Sequence, residues 1–277
     1  MRYRWIPILA SSALLGCALG GCEGTTGDDT VDFEAAASGP PDAVSGQPLV
    51  FEGSRGWQVT LDTARMHIGA LYLADSLPVS GTQATSCTLP GSYVAQVTQG
   101  RDVDLLSAEP QRFPVLGRGI SLEALAGQVW LTSGDVNDVN DPPRPTVVLE
   151  LAGSARLAGE NRPFEAQLTI ASNRVSAGSG PAGAAPICKE RIVSPIPTSI
   201  RITPQGALWL RIDPRRLFAN VDFGALALAS DGAHFSFKDD SSDQPSANLY
   251  NNLKAGGNES RSPSPSLYAF TWVSSLP

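Results

Sequence analysis

Trp57-Gln58-Val59-Thr60-Leu61 alternates apolar and polar residues, the period-two pattern of a strand that buries one face. Apolar segments of similar length recur to the end of the chain, each closed within a few residues by Gly, Pro, Asn or Asp. The pattern predicts strands at 66–73 (with Gly69 as a bulge), 92–97, 103–106, 128–132, 146–151, 154–157 and 164–170. Gly159-Glu160-Asn161 marks a hairpin turn. Further strands are expected at 199–202, 207–212, 225–229, 234–237 and 266–273. Helix signals are few. Ser121 caps one expected turn over 121–125, and Asp213-Pro214 opens a second, because Asp accepts from free N–H groups and Pro fits the first turn. Residues 238–265 are polar and rich in Asn, Ser and Asp, and are expected to form a long mobile loop. Only 17% of residues are charged, whereas Gly (27) and Pro (22) are abundant, and no fixed repeat is visible. The chain therefore reads as all-β: an antiparallel β-sandwich or barrel with long loops and one or two short helices.

The N-terminus constrains the address. Met1-Arg2-Tyr3-Arg4 is a basic head, residues 5–19 are uncharged and mostly apolar, and Gly20-Gly21-Cys22 follows. These are the parts of a secretory signal peptide. The run is shorter than the about 20 residues a membrane-spanning helix needs, and Pro7 and Gly16 interrupt it. Leu19-Gly20-Gly21-Cys22 resembles the lipobox of bacterial lipoproteins, which implies cleavage before Cys22 and acylation of it with chains such as palmitate. Leu14-Leu15-Gly16-Cys17 fits the same pattern, but cleavage at Cys22 removes the whole apolar run. The expected organisation is a signal peptide at 1–21, a flexible tether at 22–46 lacking apolar periodicity, and a single β-rich extracytoplasmic domain at 47–277. Neither candidate Cys is followed by Asp, which in many such lipoproteins signals inner-membrane retention. The outer membrane of a Gram-negative cell envelope is thus the expected location.

The formal net charge is −7, and losing Arg2 and Arg4 with the leader makes the mature chain more negative. That argues against a nucleic-acid partner, whose binding rests on a positive patch, and against electrostatic docking on anionic lipid. The expected partners are the membrane, through the lipid anchor, and an envelope protein or small ligand. Cys87 and Cys188 are the two cysteines left in the mature part. Beside turn formers and in an oxidising compartment, they are expected to form a disulfide. Closing a loop of about a hundred residues stabilises by roughly 4–5 kcal/mol in the chain-entropy model.

Signals for enzymatic chemistry are sparse. The sequence has no HExxH, P-loop or GxSxG pattern; Ser176-Ala177-Gly178-Ser179-Gly180 has the wrong spacing. A triad assembles in space rather than in sequence, so a hydrolase without a recognisable motif is the last alternative. Asp102 and Asp104 fall on one face of a strand and read as a solvent face rather than a glycosidase pair. Asp135-Val136-Asn137-Asp138-Val139-Asn140-Asp141 is rich in the hard oxygen ligands that Ca²⁺ prefers. It lacks the EF-hand order, and Asp and Asn also dominate ordinary loops. Asn258-Glu259-Ser260 matches a glycosylation acceptor, which carries little weight in a bacterial lipoprotein. Trp57, Trp130, Trp209 and Trp272 each sit at an expected strand, where they fill a core or offer an aromatic face.

The two histidines, His67 and His234, with Met66 beside the first, offer a soft copper site as a second reading. Residues 57–73 and 210–222 resemble the MbnP-like copper-associated periplasmic proteins, in which two successive strands and a later Asp–Leu–Phe stretch recur in a β-sandwich. That resemblance implies a sandwich and a link to copper; this chain has few His to supply ligands. The primary reading is a lipid-anchored extracytoplasmic binding or structural module of unknown ligand, non-enzymatic and without a cofactor. A copper-binding lipoprotein is its first alternative.

Overall fold

The computed structural model describes residues 30–53, 55–76, 92–132, 136, 147–170, 192–240, 242–254 and 266–277. The chain opens with β1 (Thr30–Ser38), β2 (Leu49–Glu52), β3 (Gln58–Ile68) and β4 (Ala70–Ala74). There follow β5 (Tyr93–Val97), β6 (Arg101–Asp104), β7 (Gln111–Arg112), β8 (Gly117–Ile120) and β9 (Glu123–Leu131). The long hairpin of β10 (Val147–Leu157) and β11 (Glu160–Thr169) leads to β12 (Ile192–Arg201) and β13 (Ala207–Ile212). After short 3-10 turns come β14 (Ala227–Leu228), β15 (Phe235–Phe237), helix α1 (Gln244–Lys254) and β16 (Tyr268–Val273).

Among the described residues these strands make two sheets. One runs β12-β9-β4-β5-β8-β1-β13-β16, with β7 also paired to β1. Its two end strands, β12 and β16, lie against each other, so the sheet is a nearly closed barrel. The other runs β14-β15-β11-β10-β3-β2, with β6 paired to the far end of β3. The fold is all-β, as the strand pattern predicts. Two pairings are parallel rather than antiparallel: β1 with β13 and β11 with β15.

Gly69 is not a bulge within one strand but the corner between β3 and β4, where the chain leaves one sheet for the other. Its N–H donates to the Trp130 carbonyl at 2.8 Å, and a Cβ there would meet Thr132 at 2.5 Å. Glycine permits that approach, and such corners are how a strand feeds two packed sheets. The β10–β11 turn falls on Ala158 and Gly159, both at positive φ (50° and 90°), the two-residue geometry that matches strand twist.

Three expectations are corrected. The tether was expected to reach residue 46, yet Thr30–Ser38 is an interior strand between β8 and β13. Val31, Phe33, Ala35 and Ala37 face the core. The turn expected at 121–125 is the start of β9, and Ala124 is paired with Ile200 of β12. The expected loop 238–265 contains α1. There Asp243 accepts from the Ser246 N–H at 2.9 Å, as an N-cap does, and Leu249 and Leu253 are buried.

Among the described residues a large apolar core joins residues of both sheets, with two small satellite clusters, one around Tyr72 and Trp130 and one around Ala36 and Ala207. One contact ties the two sheets together and another sets the spacing within the second sheet. Tyr268 of β16 is wholly buried and its hydroxyl donates to the Met66 sulfur of β3 at 3.7 Å; burial pushes that hydroxyl's pKa well above its ordinary value. Sulfur is a weak acceptor, and the Ser194 hydroxyl is a second partner of this buried group, so Tyr268→Phe should cost about 1 kcal/mol in urea unfolding. Gly153 of β10 lies where the β3 register shifts, and a Cβ there would sit 2.1 Å from the Thr60 backbone carbonyl oxygen. Gly153→Ala must push two paired backbones apart. We expect it to destabilise by about 1–3 kcal/mol, read as a lower urea midpoint at unchanged m-value.

Candidate functional site

Where β13 and β1 end, the two sheets part and leave a cleft of about 580 Å³. Pro40, Pro41, Phe51 and Phe218 give it an apolar wall, and Arg211, Arg215, Arg216, Asp213 and Glu52 give it charge. Its shape follows from the local sequence Asp213-Pro214-Arg215-Arg216-Leu217-Phe218. The Asp213 carboxylate accepts from the Arg215 N–H at 3.1 Å and so caps the 3-10 turn Pro214–Phe218. Pro214, Leu217 and Phe218 are buried under that turn, which leaves Arg215 and Arg216 on its open side.

The same carboxylate orders the guanidinium groups. Arg215 Nε donates to Asp213 Oδ1 at 2.7 Å, and its two Nη atoms make a bidentate pair with Asp42 at 2.8 and 3.2 Å. These partners, Asp213 foremost, hold the Arg215 pKa above even its ordinary high value. Arg216 Nε lies 3.8 Å from the other Asp213 oxygen, too far for a hydrogen bond. That nitrogen is buried and has no hydrogen-bond partner, and the same holds for the hydroxyl of Ser266, another residue that lines the cleft. Arg211 stacks on the Trp209 ring, 4.3 Å from its centroid.

Helix α1 braces the turn from behind. Asn252 Nδ2 donates to the Leu217 and Ala219 carbonyls at 2.9 and 2.7 Å, and Asn248 Nδ2 to the Asn220 carbonyl at 2.7 Å. These bonds satisfy backbone acceptors that the short turn leaves open. The arginines thus stand on a turn fixed by a cap on one side and a helix on the other.

The residues singled out in the sequence lie elsewhere. His67 of β3 faces its cross-strand partner Asp102 of β6, with Nδ1 2.7 Å from the carboxylate. Asp102 is 84% exposed, so this is a surface pair of small energetic weight. Asp104 does not join it; its Oδ1 accepts from the Leu106 N–H at 2.9 Å. His234 lies between Asp231 at 2.8 Å and Glu165 at 3.5 Å. The register separates the two histidines. Phe235, next to His234, aligns through Phe164 and Gly153 with Leu61, six residues or about 20 Å along β3 from His67. One ion cannot be shared by both. Among the described residues no group of three or more His, Cys, Asp or Glu side chains is placed to hold a metal. Cys22, Cys17, Cys87 and Cys188 lie outside the described residues, as does the 135–141 cluster apart from Val136.

No family model matches the chain, and no curated protein matches it. Among solved structures it is weakly similar to MbnP from Methylosinus trichosporium. The TM-score is 0.43 at 14% identity, over 88% of this chain and 98% of that one. A likeness of that size leaves the function of this chain to its own residues.

Of the cleft, the sequence signalled only the Asp213-Pro214 turn. Asp42 fell in the expected tether, and Ser266 in a strand segment with no polar role. The tryptophans divide between uses: Trp57 and Trp130 are buried in the packing. Trp272 packs edge-on against Phe33, ring centroids 5.0 Å apart, and Trp209 carries Arg211.

Proposed function

We propose that this chain is a lipid-anchored, extracytoplasmic binding module that holds a small ligand in the cleft at the end of β13. The observation that carries the reading is the cleft itself. It is about 580 Å³, the size range of small-molecule sites, and it combines an apolar wall with a few fixed polar groups as such sites do. The Arg215 fork is held by Asp42 and Asp213 on separate elements, so the polar side of the cleft is set before any ligand arrives. Such preorganisation lowers the entropy cost of binding.

The address in this proposal rests on the leader. Cys22 carries the lipid, the anchor sits in the outer membrane of a Gram-negative envelope, and Cys87 with Cys188 closes one disulfide. The experiment is intact mass spectrometry on protein extracted from membranes in detergent, under denaturing and then native conditions. We expect a chain that starts at acylated Cys22, is two hydrogens short of the reduced form, and carries a co-purifying small molecule under native conditions. A chain starting at Met1 removes the anchor. Stoichiometric copper in elemental analysis overturns the small-ligand reading and sends mutagenesis to His67 and His234.

A further inference from the structure

We infer that the ligand of this cleft is a small carboxylate with an apolar body, its carboxylate bound by Arg216 Nε and the Ser266 hydroxyl; the inference rests on the binding-module reading above. The argument starts from two orphaned groups. Buried polar atoms in folded proteins are almost always hydrogen-bonded, and each exception asks for a reason such as an ordered water, an ion or a ligand. Arg216 Nε and Ser266 Oγ are both buried without a hydrogen-bond partner, and both residues line this one cleft. A guanidinium has donors and no acceptor lone pair, so whatever completes Arg216 must present an acceptor. The serine hydroxyl can donate to the same group. An ionised acceptor makes the shorter and stronger bond.

Local charge decides which oxyanion. Arg211, Arg215 and Arg216 are matched by Glu52, Asp213 and Asp42 in or beside the cleft. The site is therefore close to neutral, with positive charge at the Arg216 end because the one Asp213 carboxylate is shared between Arg215 and Arg216. One added negative charge fits that end. A phosphate, close to a dianion at neutral pH, would leave a surplus of negative charge beside Glu52 and Asp213. Phe51, half-buried on the wall and backed by the buried Phe218 with centroids 5.7 Å apart, gives the ligand's body an apolar surface.

The test is titration of the mature protein with benzoate and hexanoate, each against its amide (benzamide, hexanamide), and with inorganic phosphate, followed by NMR shifts at cleft residues. We expect the carboxylates to bind on the order of tenfold tighter than the amides, which lack the charge, and phosphate to compete poorly. Arg216→Gln should lose a similar factor. Ser266→Ala should lose a few-fold, and serves as the second variant if Arg216→Gln lowers the thermal midpoint. Amides binding as tightly as carboxylates, phosphate displacing them, or both variants binding like the wild type would overturn the carboxylate inference and leave the binding cleft standing. If neither the carboxylates, nor the amides, nor neutral aromatic fragments move cleft resonances, the binding-module reading itself fails.

Discussion

Replacing Phe164 with Ala should lower the unfolding free energy by about 3–5 kcal/mol, the range for deleting a buried aromatic ring. Phe164 is 1% exposed and lies with its ring centroid 5.2 Å from Phe223, 5.6 Å from Phe218 and 5.9 Å from Phe237. These rings come from different places. Phe164 belongs to β11 and Phe237 to β15, whereas Phe218 and Phe223 come from the two 3-10 turns after β13. The cluster thus fastens the turns to the second sheet, and Phe218 passes the fastening on to Phe51. Phe164→Leu keeps most of the apolar area but loses the ring contacts, each about 0.5–1.5 kcal/mol, so it should cost visibly less. Urea unfolding of both variants is the measurement. A loss under about 1 kcal/mol for Phe164→Ala would mean that the site collapses around the missing ring and that the cluster is not the joint. Against a total stability of about 5–15 kcal/mol, the expected loss is large enough to populate unfolded chain on mild heating.

The all-β class was legible because strand periodicity is local and this chain repeats it many times. β13 illustrates the favourable case, since 207–212 was expected and Ala207–Ile212 is observed. β1 illustrates the opposite. Thr30–Ser38 is Thr-Val-Asp-Phe-Glu-Ala-Ala-Ala-Ser; its small residues and acidic neighbours look like a linker. Small size is what the interior requires there, because Ala36 and Ala37 are fully buried between flanking strands. The parallel β1–β13 pairing spans about 170 residues of sequence, and no local pattern encodes it. Helix α1 was hidden for a related reason. Its stability comes from Leu249 and Leu253 against the 3-10 turn and β12, and a polar eleven-residue segment is not helical by propensity alone.

The site was less legible than the fold. Asp213-Pro214 announced a turn by local chemistry, and the turn is there. That the turn presents arginines to a cleft depends on Asp42, 173 residues away, and on carbonyls held by Asn248 and Asn252. Histidine's versatile chemistry makes any histidine a candidate ligand by sequence. Here each is instead paired with carboxylates at the surface of the second sheet.

Asp213→Ala should be the most damaging single change to the cleft. Asp213 is 16% exposed and serves three groups on two residues: the Arg215 N–H, the Arg215 guanidinium and, by charge, the Arg216 guanidinium. Loss of a capping acceptor costs about 1 kcal/mol. Removing the carboxylate also leaves two partly buried guanidiniums short of a partner, which costs 3–5 kcal/mol in a fully buried site and less here because Arg215 is 30% exposed. We expect a combined loss of about 2–3 kcal/mol in urea unfolding. Benzoate affinity should fall at least about tenfold, because Arg216 stands on the turn that Asp213 caps and loses its fixed position when the cap goes. Asp213→Asn separates the two roles. Its side-chain oxygen still caps the turn, so most of the stability should return, while the ion pairing does not. If Asn restores binding fully as well as stability, the carboxylate acts by holding the turn alone. If Asn restores stability but not affinity, its charge is what positions the arginines.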